Sequence, residues 1–145
     1  MYLWYPDCGE RRLSERKEKN FKIVIVEDDP DTAEMLERML RIKGYDVFKV
    51  FRASEALTHI SDQKPDAVLL DVMMPDFSGL DVLREIRKEY FLNDVPVIII
   101  SARTLPTDIQ QGLAAGAEYY LTKPVSFHDL NNALSEVLGR RAMGA

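Results

Sequence analysis

From Phe21 onward, short apolar runs alternate with segments of helical periodicity, and this alternation narrows the fold more than any other feature of the chain. The runs "FKIVIV", "YDVFKV", "DAVLLD", "VPVIII" and "EYYLT" have strand length and composition. The first helical stripe is Met35, Leu36, Met39 and Leu40, closed by Gly44. Ala53, Ala56, Leu57 and Ile60 form a second, and Leu80, Leu83 and Ile86 a third. Ile109 and Leu113 mark a shorter fourth helix ending near Gly116. The fifth carries Leu130, Ala133, Leu134, Val137 and Leu138, opened by Ser126 with Asp129 three residues on, as in a capping box. Five strands alternating with five helices predict βαβ units with right-handed crossovers, hence an α/β domain with a parallel sheet.

Strand composition predicts the order. Residues 23–26, 67–70 and 97–100 are continuously apolar, as expected when helices cover both faces of a strand. The second strand, with Asp46 and Lys49, and the fifth, with Glu118 and two tyrosines, are mixed and belong at the edges. The order 2-1-3-4-5 follows: a flavodoxin-like doubly wound (βα)5 sheet.

A chain of 145 residues suits one domain with its own core. A net charge of −5 argues against a general nucleic-acid binder. The single cysteine, Cys8, excludes an internal disulfide and fits a reducing compartment. No apolar stretch approaches the ~20 residues of a membrane span, and the N-terminus lacks the basic start and apolar core of a secretory signal. The expected setting is the cytoplasm. Residues 1–20 differ from the rest: Met1 to Tyr5 are aromatic-rich, whereas Glu10 to Asn20 are polar apart from Leu13. Two readings stand, a linker or tail, or a docking element in which Leu3, Trp4 and Tyr5 pack on this domain or on a partner. The expected division is an extension over 1–20, a folded domain over 21–139 and a tail over 140–145.

In such sheets ligands bind beyond the carboxyl ends of the strands, where strand order reverses. That point lies between strands one and three. Strand one runs into Glu27 and Asp28, and strand three into Asp71, so three carboxylates are expected in one cleft. Asp29 suits a helix N-cap, Pro30 the first helical position, and Asp31 the positive end of the helix dipole. Those roles are structural. Glu27 and Asp28 are not explained that way, because no cap needs three acids in a row. Asp71 alone could cap the loop "DVMMPDFSG", but meeting the other two it suits a hard cation such as Mg²⁺, which relieves their repulsion. Ser101 ends strand four, and Lys123 follows strand five in "LTKP". Either alone is ordinary surface chemistry. Together the set reads as a phosphoryl-transfer site: nucleophilic carboxylate, metal, cationic clamp and hydroxyl donor.

With "VEDDP", "LLDVMMPDFSGLDVL", "IIISA" and "GAEYYLTKP" occurring in that order, the chain from about Phe21 to Leu138 resembles the receiver domain of two-component response regulators. The resemblance implies that Asp71 is the phosphoacceptor, taking a phosphoryl group from a sensor histidine kinase or a histidine phosphotransfer protein. It implies that Asp28 and Asp71 bind Mg²⁺ directly, with the main-chain carbonyl of Met73 as a third ligand and Glu27 acting through water. Lys123 would pair with the carboxylate and then the phosphoryl group, with a cis bond to Pro124. Ser101 would hydrogen-bond a phosphoryl oxygen, and Tyr120 would be the aromatic switch, the alternative being an edge-strand aromatic packed for stability. The readout would be the face of helix four, strand five and helix five, a face through which receivers also form homodimers. Ser78 stands where the family often has an acid. Met73 and Arg103 occupy positions that tune phosphoryl lifetime, and an apolar Met73 implies slow self-dephosphorylation.

The implied function is a switch domain rather than an enzyme acting on a separate substrate, with no direct nucleic-acid or membrane binding. Two rivals belong to other classes. A receiver-like interaction module that is never phosphorylated would not need Glu27, Asp28, Asp71, Ser101 and Lys123 together. A phosphatase of the aspartyl-phosphate type would carry a second acid two residues after the nucleophile, where this chain has Met73.

Overall fold

The structure, a computed structural model, describes residues 20–144, with side chains through Arg140. Apart from Asn20, the N-terminal extension lies outside the described residues. The elements are β1 (Lys22–Val26), α1 (Pro30–Ile42), β2 (Asp46–Val50), a 3₁₀ turn (Ala53–Glu55) leading into α2 (Ala56–Gln63), and β3 (Ala67–Leu70). They continue with α3 (Gly79–Lys88), β4 (Val97–Ser101), α4 (Pro106–Ala114), β5 (Tyr119–Thr122) and α5 (Phe127–Gly144). The five strands pair in parallel in the order β2-β1-β3-β4-β5, as strand composition predicts.

Successive strand side chains point to opposite faces, which sorts the core into two layers. Val24, Val26, Val68, Leu70, Val97 and Ile99 face Ile60 of α2 and Leu83 and Ile86 of α3. Ile23, Ile25, Leu69, Ile98 and Ile100 face Leu36 and Leu40 of α1 and Leu130, Leu134 and Val137 of α5. Burial on both faces is why the central strands read as unbroken apolar runs.

Helix ends follow local chemistry. The Asp29 side chain accepts the Thr32 N–H at 3.1 Å, with Pro30 in the first turn. Gly44 closes the other end of α1 with φ +88°, a conformation that suits a residue without Cβ. At α5 the Ser126 hydroxyl accepts the Asp129 N–H at 3.0 Å. Two stripes differ from expectation. Met35 and Leu113 are exposed, and the buried positions on their helices include Ala33 and Gly112, small residues that let helix and sheet approach closely. The last helix also runs on to Gly144, beyond Leu138 where its apolar stripe stops.

Candidate functional site

Register brings the acids together. Val26 pairs with Leu70 across β1 and β3, so the residues that follow, Glu27 and Asp71, leave neighbouring strands side by side. The Asp71 N–H still bonds the Val26 carbonyl at 3.0 Å, and the Glu27 N–H bonds Val50 at 3.0 Å. Both acids are thereby fixed by sheet backbone. Glu27 and Asp71 are 2% and 4% exposed, Asp28 is half-buried, and one carboxylate oxygen from each lies within 4.8 Å of the others.

The loop after Asp71 is held by two close approaches. A Cβ on Gly79 would lie 2.2 Å from the Asp71 carbonyl oxygen, so only glycine lets α3 start against that backbone. The Ser78 hydroxyl caps α3 by accepting the Leu80 N–H at 3.2 Å. Farther out, Asp76 accepts the N–H groups of Ala53 and Ser54 at 3.3 and 3.1 Å, tying the loop to the 3₁₀ turn after β2. The sequence reading missed this tether. Asp76 follows Pro75 as an ordinary turn acid would, and nothing local marks its partner.

Lys123 is the cation of the cluster. Its Nζ is 2.8 Å from Glu27 Oε1 and 3.5 Å from Asp71 Oδ2. Its backbone is held beside β4 by the Lys123 N–H bonding the Ser101 carbonyl at 2.8 Å. The Lys123–Pro124 bond is cis, as the resemblance implies. Asp71 Oδ1 accepts the Met73 N–H at 3.0 Å, and Glu27 Oε2 accepts the Asp29 N–H at 3.2 Å. Burial pushes Glu27 up to about 7; the hydrogen bond from Lys123 works against this and the charge of Asp71 adds to it. Burial alone would lower Lys123, but its bond to Glu27 and the charges of Asp71 and Glu27 hold it above its ordinary value. Lys123 thus pairs with two of three clustered acids, whose hard oxygen donors fit a divalent cation such as Mg²⁺.

Ser101 and Tyr120 meet at Arg103. Ser101 is fully buried and its Oγ accepts the Arg103 N–H at 3.1 Å, while the Tyr120 hydroxyl donates to the Arg103 carbonyl at 2.9 Å. The half-buried Tyr120 ring lies over Gly112 of α4, where an added Cβ would come within 2.8 Å of it and of Ile99. A cavity of about 790 Å³ runs from Asp28 past Met73 and Arg103 to Tyr120. The structure therefore brings Glu27, Asp28, Asp71 and Lys123 into one cluster, with Ser101 and Tyr120 joined to each other through the β4–α4 loop. The exposed Met73 side chain lines the same cavity. The part played by the Arg103 backbone was not legible in the sequence, because main-chain groups carry no residue signature.

Solved structures of similar fold carry related sequences. A protein from Chloroflexus aurantiacus described as a response regulator is 33% identical, with 84% of this chain and 100% of that one covered at a TM-score of 0.81. The CheY-like response regulator receiver domain protein of Methanospirillum hungatei is 26% identical over 88% and 100% of the two chains, also at 0.81. The signal receiver domain of a signal transduction histidine kinase from Syntrophus aciditrophicus is 32% identical over 82% and 90%, at 0.76. Residues 23–135 match the response regulator receiver domain family, and they hold every element from β1 to the body of α5 together with the acid cluster, Ser101, Tyr120 and Lys123. The chain belongs to the response regulator receiver domain family.

Proposed function

We propose that this domain is a phosphorylation-controlled switch that accepts a phosphoryl group on Asp71 from a phosphohistidine of a sensor kinase or phosphotransfer protein in the cytoplasm. The observation that carries this reading is the buried Asp71 carboxylate, set between Lys123 and two further acids at the end of β3. Asp71 attacks phosphorus: a P–O bond forms, the P–N bond to the donor imidazole breaks, and the imidazole leaves and takes up a proton. Asp28 and Asp71, the Met73 carbonyl, and Glu27 through water would hold Mg²⁺, which when bound supplies positive charge to the phosphoryl oxygens. Lys123 neutralises the carboxylate before transfer and the phosphoryl group after it. Transfer of this kind depends on positioning and charge neutralisation more than on acid–base chemistry.

The phosphoryl group then competes for Ser101. Its hydroxyl stops accepting from Arg103 and donates to a phosphoryl oxygen, which frees the β4–α4 loop and the Tyr120 hydroxyl bonded to it. The readout is a changed surface on α4, β5 and α5, where Leu105 and Leu113 are exposed for a protein target or a second copy. The test is intact-mass measurement after incubation with Mg²⁺ and acetyl phosphate. One added phosphoryl group, absent with EDTA and absent in Asp71→Asn, supports the switch. If no mass is added and beryllofluoride with Mg²⁺ also leaves the NMR spectrum unchanged, the domain is an unphosphorylated interaction module.

A further inference from the structure

The end of the sheet opposite Asp71 carries an apolar groove that the phosphoryl chemistry does not use. It encloses about 510 Å³ between the end of α2 and the turn before β4. Leu92 and Val95 form its floor, Ser61, Lys64 and Pro65 one wall, and Phe91 its lip. Phe91 and its neighbour Tyr90 are 85% and 84% exposed, with ring centroids 5.7 Å apart in an edge-to-face pair. Two adjacent aromatic rings left in water beside an apolar hollow make a patch that gains by being covered.

The chain itself leads to this place. Because the strands are parallel, the start of β1 lies at the same edge of the sheet as Pro65 and Val95, which precede β3 and β4. The Lys22 N–H donates to Asp66 at 2.8 Å, and Lys22 Nζ bonds the Gln63 carbonyl and side chain at 3.2 and 3.3 Å. Residues 63 and 66 flank Lys64 and Pro65 of the groove. Residues 6–19 would span about 20 Å as a helix and about 45 Å extended, either enough to carry residues 2–5 back to it. Those residues are Tyr2, Leu3, Trp4 and Tyr5, the apolar part of an otherwise polar segment. The connecting stretch holds five bases, Arg11, Arg12, Arg16, Lys17 and Lys19, against four acids, Asp7, Glu10, Glu15 and Glu18, and so brings no net repulsion toward the adjoining hollow, which is lined by the exposed acids Asp62 and Glu89.

We propose that Tyr2, Leu3, Trp4 and Tyr5 dock in this groove against Tyr90, Phe91, Leu92 and Val95 of the same chain. Tethering presents the segment at an effective concentration on the order of millimolar, so docking is populated even where the separate peptide binds weakly. The docked segment leaves the Asp71 end of the sheet open.

Trp4 is the chain's single tryptophan, so its fluorescence reports the segment directly. In the full chain, Trp4 emission is expected to lie to the blue of that of a peptide of residues 1–19 and to be quenched more slowly by acrylamide, both independent of protein concentration. The double substitution Tyr90→Ser and Phe91→Ser, at two exposed positions, is expected to move both readings to the peptide values while circular dichroism stays native. In parallel, Trp4→Ala is expected to shift the methyl resonances of Leu92 and Val95. Peptide-like emission in the native chain, or a blue shift that survives the double substitution, would overturn the proposal. A blue shift lost on dilution would also overturn it, assigning the groove to a second copy.

Discussion

Replacing Glu27 with glutamine keeps the side chain's shape and removes its charge, and it should stabilise the metal-free fold. The cause is burial, which carries this acid from an ordinary 4.5 to about 7. Between those values the folded protein holds a proton that the unfolded chain has released, so stability falls as pH rises through the window. At ~1.4 kcal/mol for each tenfold change in proton affinity, the full penalty is about 3 kcal/mol at pH 8. Glu27 also keeps Lys123 at 2.8 Å, a charge pairing that glutamine gives up, so a gain of about 1–3 kcal/mol is the expected range for the substitution. For a domain of this size that is roughly 2–4 °C in Tm per kcal/mol. Urea unfolding in EDTA, followed by circular dichroism from pH 4 to pH 8, measures it. Glu27→Gln should unfold later than the native chain at pH 8, and the two should nearly coincide at pH 4. A less stable Glu27→Gln protein at pH 8, or a native chain without the decline between pH 4.5 and 7, refutes the reasoning.

Mg²⁺ should raise the melting temperature of the native chain more at pH 8 than at pH 6, because Glu27 must lose its proton before the cluster carries its full negative charge; equal gains at the two pH values count against its part in the site. Gly79→Ala places a Cβ 2.2 Å from the Asp71 carbonyl and should cost about 1–3 kcal/mol in urea unfolding and slow phosphorylation by acetyl phosphate; an unchanged midpoint and rate refute the close approach. Met73→Asn puts an amide able to orient water beside the phosphoryl group and should shorten the phosphoprotein's lifetime about tenfold, the equivalent of one hydrogen bond of ~1.4 kcal/mol. A half-life unchanged or lengthened, read from the decay of the phosphorylated mass, sinks that idea.

Strand order could be read from the sequence because burial on two faces leaves no polar positions, and only residues 23–26, 67–70 and 97–100, within β1, β3 and β4, form such unbroken apolar runs. The acids could be read because each ends a strand, and parallel strands end together. What stayed hidden depends on contacts between distant elements. Arg87 of α3 donates to the Gly116 carbonyl at 2.7 and 3.1 Å, to Val95 at 2.7 Å and to Glu118 at 3.1 Å, and Glu118 in turn accepts the Val97 N–H at 2.8 Å. In the sequence Arg87 is a basic residue near a helix C-terminus, which the helix dipole alone would explain. Met35 misled for a different reason. A stripe of apolar residues at helical spacing is wider than the strip that touches the sheet, and its edge residue stays in water while Ala33 takes the contact.

The layering of the core also decides which parts can move when the site changes. α5 is anchored by Leu130, Ala133, Leu134, Val137 and Leu138, all buried, and losing the contacts of even one such leucine costs about 2–5 kcal/mol. α4 buries only Gly112 and has no side-chain cap at its start. The loop before it is clasped by two hydrogen bonds, Arg103 N–H to Ser101 and Tyr120 hydroxyl to Arg103. Each is worth about 0.5–1.5 kcal/mol net. On the proposed function, a phosphoryl group drawing Ser101 away would have only a few kcal/mol to overcome at the β4–α4 loop, which a charge-assisted hydrogen bond and the Lys123 contact could supply. The same energy cannot displace α5. The loop joins the sheet at Tyr120, whose ring packs against Gly112 on the face opposite α5.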